Sequence, residues 1–155
     1  MKTLEFQDFL LKSATMIIGC DGDIDDSEIV EINKLIDDEV YFLGFVKENK
    51  LDVLISEFKE KGKDAINSYL KEFAVIDLLH RQKLILLEVL IIATEADGVI
   101  HPNEVKLLHL ILPKLSLDNE TIIINFPNQI GYLLNFKNND LNKEFTDEIE
   151  FTSQN

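Results

Sequence analysis

Asp21-Gly22-Asp23-Ile24, with Glu28 four residues further on, returns 76 residues later as Asp97-Gly98-Val99-Ile100 with Glu104. Each copy follows one apolar stretch of helical period and precedes another. Before the first copy, Phe6, Phe9, Leu10, Ala14 and Ile17 fall on one face at spacings of three and four. After it, Ile29, Ile32, Ile36 and Val40 keep that period, and after the second copy Val105, Leu108, Ile111 and Leu115 do the same. Sliding the second copy back by 76 lays Val105 on Ile29, Leu108 on Ile32 and Leu112 on Ile36. The likeness therefore reaches past the turn into the core face of the next helix, which marks an internal duplication.

Between the halves, Leu51, Leu54, Ile55 and Phe58 form one stripe and Ala65, Ile66, Tyr69, Leu70 and Phe73 another, separated near Gly62. Asp77 reads as the N-cap of a helix running to Glu95, apolar almost all round from Leu84 to Ala93 and hence central. Pro113 is expected to end or kink the helix that follows the second turn. The β-branched run Thr121-Ile122-Ile123-Ile124 has strand character, but a lone strand has no partner in a helical domain, so a short helix over 118–125 is favoured. Residues 130–136 add a further turn on the core. Leu141, Phe145 and Ile149 recur at spacing four in a polar tail, which reads either as frayed or as an amphipathic helix. The expectation is an all-α domain over residues 1–128, with repeat one at about 4–40, repeat two at about 78–115 and a C-terminal extension over 129–155.

The 155 residues carry 29 acidic against 15 basic side chains, a formal charge of −14. Phosphate backbones demand a positive surface, so nucleic acid is disfavoured as a partner. Cations and proteins with a basic surface are favoured. Leu84 to Ala93 is far short of the roughly 20 apolar residues that span a bilayer, and Met1 to Glu5 has no signal-peptide pattern. The single cysteine, Cys20, excludes an intrachain disulfide. A cytoplasmic protein without direct membrane insertion is expected.

The repeated turn has two chemistries. Glycine allows positive φ and reverses the chain, and the isoleucine can turn inward to anchor it. Asp25 and Glu28 have capping-box spacing; His101, Pro102 and Glu104 take the corresponding cap, first-turn and box positions in the second copy. The carboxylates also suit a hard cation. Gly22, Ile24 and Glu28 match the sixth, eighth and twelfth places of an EF-hand loop, but the first and third places would be Ile17 and Gly19, or Ala93 and Glu95 in the second copy. Neither turn can be an autonomous loop of that kind. A site would have to pool Asp21, Asp23, Asp25 and Glu28 with Glu95, Asp97 and Glu104, and oxygen-only ligands point to Ca²⁺ or Mg²⁺.

These features resemble the TerB-like family, named for tellurite-resistance TerB and found also in the N-terminal region of a DnaJ-type co-chaperone. The match lies in Ala96-Asp97-Gly98-Val99-Ile100 with Glu104 and in Cys20-Asp21-Gly22-Asp23-Ile24 with Glu28, within residues 4–126. The resemblance implies a compact bundle of about seven helices in two pseudo-symmetric repeats. It also implies an acidic surface at the two turns, carried by Asp21, Glu28, Asp97 and Glu104 and proposed to bind divalent cations. The roles it implies are in stress response, metal or tellurite resistance and membrane-associated complexes. His101 departs from the small polar cap common at its place, and the tail past about residue 128 has no matching motif.

Cys20 reads as a small buried filler, and His80 and His109 as surface or boundary residues. Glu88 aligns with Lys12, which suggests that their helices cross and the charges meet or snorkel at the edge. No Ser-His-Asp order or glycine-rich phosphate loop is present, so no enzyme is expected. A pocket joining His101 to two carboxylates would reopen that question. Two readings remain: a non-enzymatic interaction module with a cation-binding acidic surface, or a purely structural adaptor whose turns are only helix caps.

Overall fold

A computed structural model describes residues 1–22 and 24–134. Among them are eight α-helices and no strand: α1 Thr3–Ile18, α2 Asp26–Asp38, α3 Lys50–Lys61, α4 Lys63–Glu72, α5 His80–Glu95, α6 Pro102–Leu115, α7 Asn119–Asn125 and α8 Ile130–Leu133. Short 3₁₀ turns lie at Val40–Phe42 and Pro127–Gln129. The all-α expectation holds, with one helix more than the resemblance implies. The Leu141, Phe145 and Ile149 stripe and Asp23 lie outside the described residues.

The helices that precede the two turns form the centre. The most extensive helix contact is α1 against α5; α2, α3, α4 and α6 also pack on α1. Leu10, Ala14 and Ile17 of α1 and Leu86, Leu87, Val89 and Leu90 of α5 have no exposed surface. Polar residues in helices buried this fully must find hydrogen-bond partners, and the hydroxyls find them one turn back. Ser13 donates to the Phe9 carbonyl at 2.7 Å, Thr15 to Leu11 at 2.8 Å and Thr94 to Leu90 at 2.8 Å.

The hairpin of α3 and α4 closes one side. Gly62, at φ 57°, joins the two helices. The Tyr69 hydroxyl of α4 donates to the Ser13 oxygen of α1 at 2.8 Å. Its ring packs on Phe9 and Phe73, with centroids 5.5 and 5.3 Å away. At the far end, Asp118 caps α7 by accepting from Thr121 N–H at 2.7 Å. The β-branched run is thus helical, as expected once a strand has no partner. Leu133 of α8 is fully buried, so the packed unit extends into the segment that begins at residue 129.

Two expectations are corrected. Asp77 does not cap α5: that helix begins at His80, with Leu79 at the cap position and its N–H held by the Gln82 side chain at 3.0 Å. Asp77 offers its carbonyl to the Met1 amino group instead, at 2.8 Å. Lys12 and Glu88 do not meet: Lys12 pairs with Glu72 of α4 at 2.6 Å, and Glu88 accepts from the Tyr41 hydroxyl. α6 continues two residues past Pro113 and stops where Ser116 turns left-handed, at φ 53°. Among the described residues no helix is long and apolar enough to cross a membrane.

Candidate functional site

The two turns are built alike. After α1, Cys20 N–H bonds the Ile17 carbonyl at 3.3 Å and Gly22 N–H the Gly19 carbonyl at 3.0 Å. After α5, Ala96 N–H bonds Ala93 at 3.4 Å and Gly98 N–H bonds Glu95 at 3.0 Å, the same pair of bonds shifted by 76 residues. Gly22 and Gly98 have φ of 103° and 79°, the left-handed region that glycine enters at least cost.

Both helices that leave the turns start as the box spacing predicts. Asp25 accepts from Glu28 N–H at 2.9 Å, and Glu28 accepts from Asp25 N–H at 3.1 Å. Glu104 accepts from His101 N–H at 3.3 Å. The His101 ring is used differently from the Asp25 carboxylate: its Nε2 lies 2.8 Å from Asp97 Oδ2 and 3.9 Å from Glu104 Oε1.

The isoleucines part company. Ile24 is 3% exposed, whereas Ile100 is 40% exposed, so only the first turn is anchored as expected. The cause lies one turn earlier. A Cβ added at Gly19 would stand 2.7 Å from Ile24 Cγ1, so the missing side chain is what lets Ile24 settle over the backbone. The equivalent place in the second turn is Glu95, whose side chain denies Ile100 that seat. Gly19→Ala is therefore expected to cost about 1–3 kcal/mol of stability by overpacking. In a double-mutant cycle by urea denaturation, Gly19→Ala should cost less in an Ile24→Ala background, which lacks both clashing atoms, than in the wild type. An unchanged midpoint for Gly19→Ala would show that Ile24 does not rest there.

The turns converge. Asn103, in the first turn of α6, donates its amide to Asp21 Oδ1 at 2.9 Å and so ties the second turn to the first. A pocket of about 220 Å³ opens between them. Asp21, Asp25, Glu28 and Glu31 line it from one half, and Asp97, His101 and Glu104 from the other. Glu95 is not part of this lining: it accepts from the Tyr132 hydroxyl at 3.2 Å and borders a groove on the other side of α5. Glu31 takes its place in the carboxylate set. It lies one helical turn after Glu28 and so on the same face, a spacing that points to it. Asn103 has no counterpart in the first turn, where Ser27 stands, and no sequence signal marks it.

Burial and like charge act on these carboxyls. Burial raises Glu28 to about 7 and Glu104 to about 8, with neighbouring aspartates adding to the rise. Glu31 is also raised, first by burial and then by Asp97. Asp97 is lowered by its bond to His101, and Asp25 by its bond from Ser27. His101 is raised by Asp97 in return. Asp25 and Asp97 are thus held ionised while Glu28 and Glu104 retain protons near neutrality. Among the described residues, no three His, Cys, Asp or Glu side chains form a cluster ready to hold a metal ion. Asp97 is engaged by His101 and Asp21 by Asn103, so an ion would have to draw both aspartates away from these partners.

The remaining single residues fall where their chemistry puts them. Cys20 is fully buried and its thiol is pushed up, chiefly by burial and then by Asp21. His109 donates through Nε2 to the Tyr132 carbonyl and so fastens α8 to α6. His80 is exposed at the start of α5. The chain matches no family model, no curated protein and no solved structure at a significant level.

Proposed function

We propose that this chain is a non-enzymatic interaction module of TerB-like type, built from two related hairpins, whose shared acidic pocket binds Ca²⁺ or Mg²⁺. The observation that carries the reading is the meeting of carboxylates from both turns in one pocket, tied by Asn103 to Asp21. The repeated turn bonds and the paired helix starts support the duplication. The donor set is oxygen-rich, with His101 as its one nitrogen, which suits a hard cation better than zinc. Glu28 and Glu104, raised first by burial and then by neighbouring aspartates, are carboxyls that a divalent ion would let ionise by neutralising them. The TerB-like resemblance ties such a module to stress response and to metal or tellurite resistance, through complexes with other proteins.

His101 beside two carboxylates is the arrangement that reopens an enzymatic reading, and the neighbouring groups argue against it. Ser27 donates its hydroxyl to Asp25, a weak base of lowered pKa already committed to capping α2, and the Cys20 thiol is fully buried with its ionisation suppressed. The stronger rival is the structural adaptor, favoured by one observation: Glu28 and Glu104 each already bond the backbone N–H of the N-cap residue ahead of their helix. Calorimetric titration with Ca²⁺ and Mg²⁺ separates the two. The wild type should bind in the millimolar range or tighter, and Asp21→Asn/Asp97→Asn should lose about tenfold or more in affinity. No heat and no thermal shift in the wild type at millimolar ion would leave the adaptor.

A further inference from the structure

α5 carries Ile85, Glu88, Ile92 and Glu95 at spacings of three and four, so apolar and acidic groups alternate along its outward ridge. Ile92 stands where two grooves adjoin. One, of about 400 Å³, follows α5 toward Phe126 with Glu88 and Glu95 on its edge. The other, of about 160 Å³, has Ile18, Leu35, Ile92 and Ala96 as its floor, and Glu31, Asp38 and Glu39 at its rim. Lys34 and Arg81 also border these grooves, and the acidic groups outnumber them.

We infer that this double groove docks a basic amphipathic helix of a partner protein, with aliphatic side chains on the Ile92 floor and Lys or Arg against the acidic rim. Charge complementarity selects the occupant. A second copy of a chain with net charge −14 would set like charges against the rim, whereas a basic segment neutralises them. The groove also selects a helix. With no strand edge among the described residues, an extended peptide has no main chain to pair with, and an apolar floor between acidic edges suits a helix in a groove. From Arg81 to Ala96, α5 offers a ridge about 22 Å long, matched by about 15 residues of partner helix. The surface lies beside the pocket between the turns and does not require an ion there.

The test uses a fluorescent leucine–lysine peptide of about 18 residues patterned as an amphipathic helix. Its control has the same composition in an order that scatters the leucines around the helix. Both are titrated with the full chain in chelator, so the outcome is independent of cation binding. The patterned peptide should bind about tenfold or more tightly than the control, and more weakly as salt rises. Ile92→Ala should weaken it about fivefold, and the surface pair Asp38→Lys/Glu39→Lys by at least as much, with helical circular dichroism retained. Equal affinity for the two peptides would reduce the attraction to diffuse charge and overturn the inference. So would no binding, or binding unchanged in the Asp38→Lys/Glu39→Lys variant, whose substitutions lie on the surface.

Discussion

Tyr69→Ala should lower the free energy of unfolding by about 3–5 kcal/mol, the range for removing a large buried aromatic side chain. Tyr69 is fully buried, stacks on Phe9 of α1 and meets Phe73, just past the end of α4, edge to face. Truncation therefore opens a cavity at the contact that holds the α3–α4 hairpin to the central helix. Tyr69→Phe isolates the polar part. It keeps the ring and removes the hydroxyl that donates to Ser13. Ser13 still donates to the Phe9 carbonyl and loses only a bond that it accepts, so the cost should be about 1 kcal/mol. Chemical denaturation of the two variants checks both numbers. A loss for Tyr69→Ala no larger than for Tyr69→Phe would mean that the hairpin relaxes into the gap and is not held by this ring.

How far the sequence could be read depended on whether a feature was periodic or pairwise. The helices announce themselves because Phe6, Leu10, Ala14 and Ile17 must share a face, and the surrounding core only reinforces that local choice. Capping boxes are as local, and Asp25 with Glu28 formed as spaced. The start of α5 escaped because Leu79 takes the cap position with its N–H held by the Gln82 side chain, while the Asp77 carbonyl accepts from the distant Met1 amino group, contacts that no apolar period shows. Lys12 found Glu72 rather than Glu88 for a similar reason: alignment of repeats says which positions correspond, not which face each other across unlike neighbours.

The pocket shows the same limit. The repeated motif leads one to expect the two turns together, but the membership of the pocket is a matter of side-chain direction. Glu95 precedes the turn and points across α5 to Tyr132, while Glu31, a full turn into α2, points in. The asymmetry between Ile24 and Ile100 was written in Gly19 against Glu95. Reading it required knowing that the isoleucine folds back onto the backbone five residues earlier.

Glu104→Gln should make the protein more stable than wild type at alkaline pH and leave it nearly unchanged under acidic conditions. Glu104 is 6% exposed, and its carboxyl is raised from 4.5 to about 8, first by burial. The folded chain therefore holds this proton more tightly than the unfolded chain does. The sign follows from linkage: the contribution of the neutral form is fully present below about pH 4.5 and is lost as pH rises through about 8. A proton held that much more tightly in the folded chain is worth at most about 5 kcal/mol. Relaxation and water entry on ionisation lower that ceiling, so a difference of about 1–3 kcal/mol above pH 8 is expected. Glutamine keeps an oxygen for the His101 N–H, so the helix cap survives and only the titration is removed. Thermal melts of both proteins between about pH 5 and 9 should diverge upward in favour of the variant. Added Ca²⁺ or Mg²⁺ at the alkaline end should then close the gap by stabilising the wild type more than the variant. A variant destabilised by the same amount at every pH would show instead that Glu104 is ionised throughout and serves its helix as a cap alone.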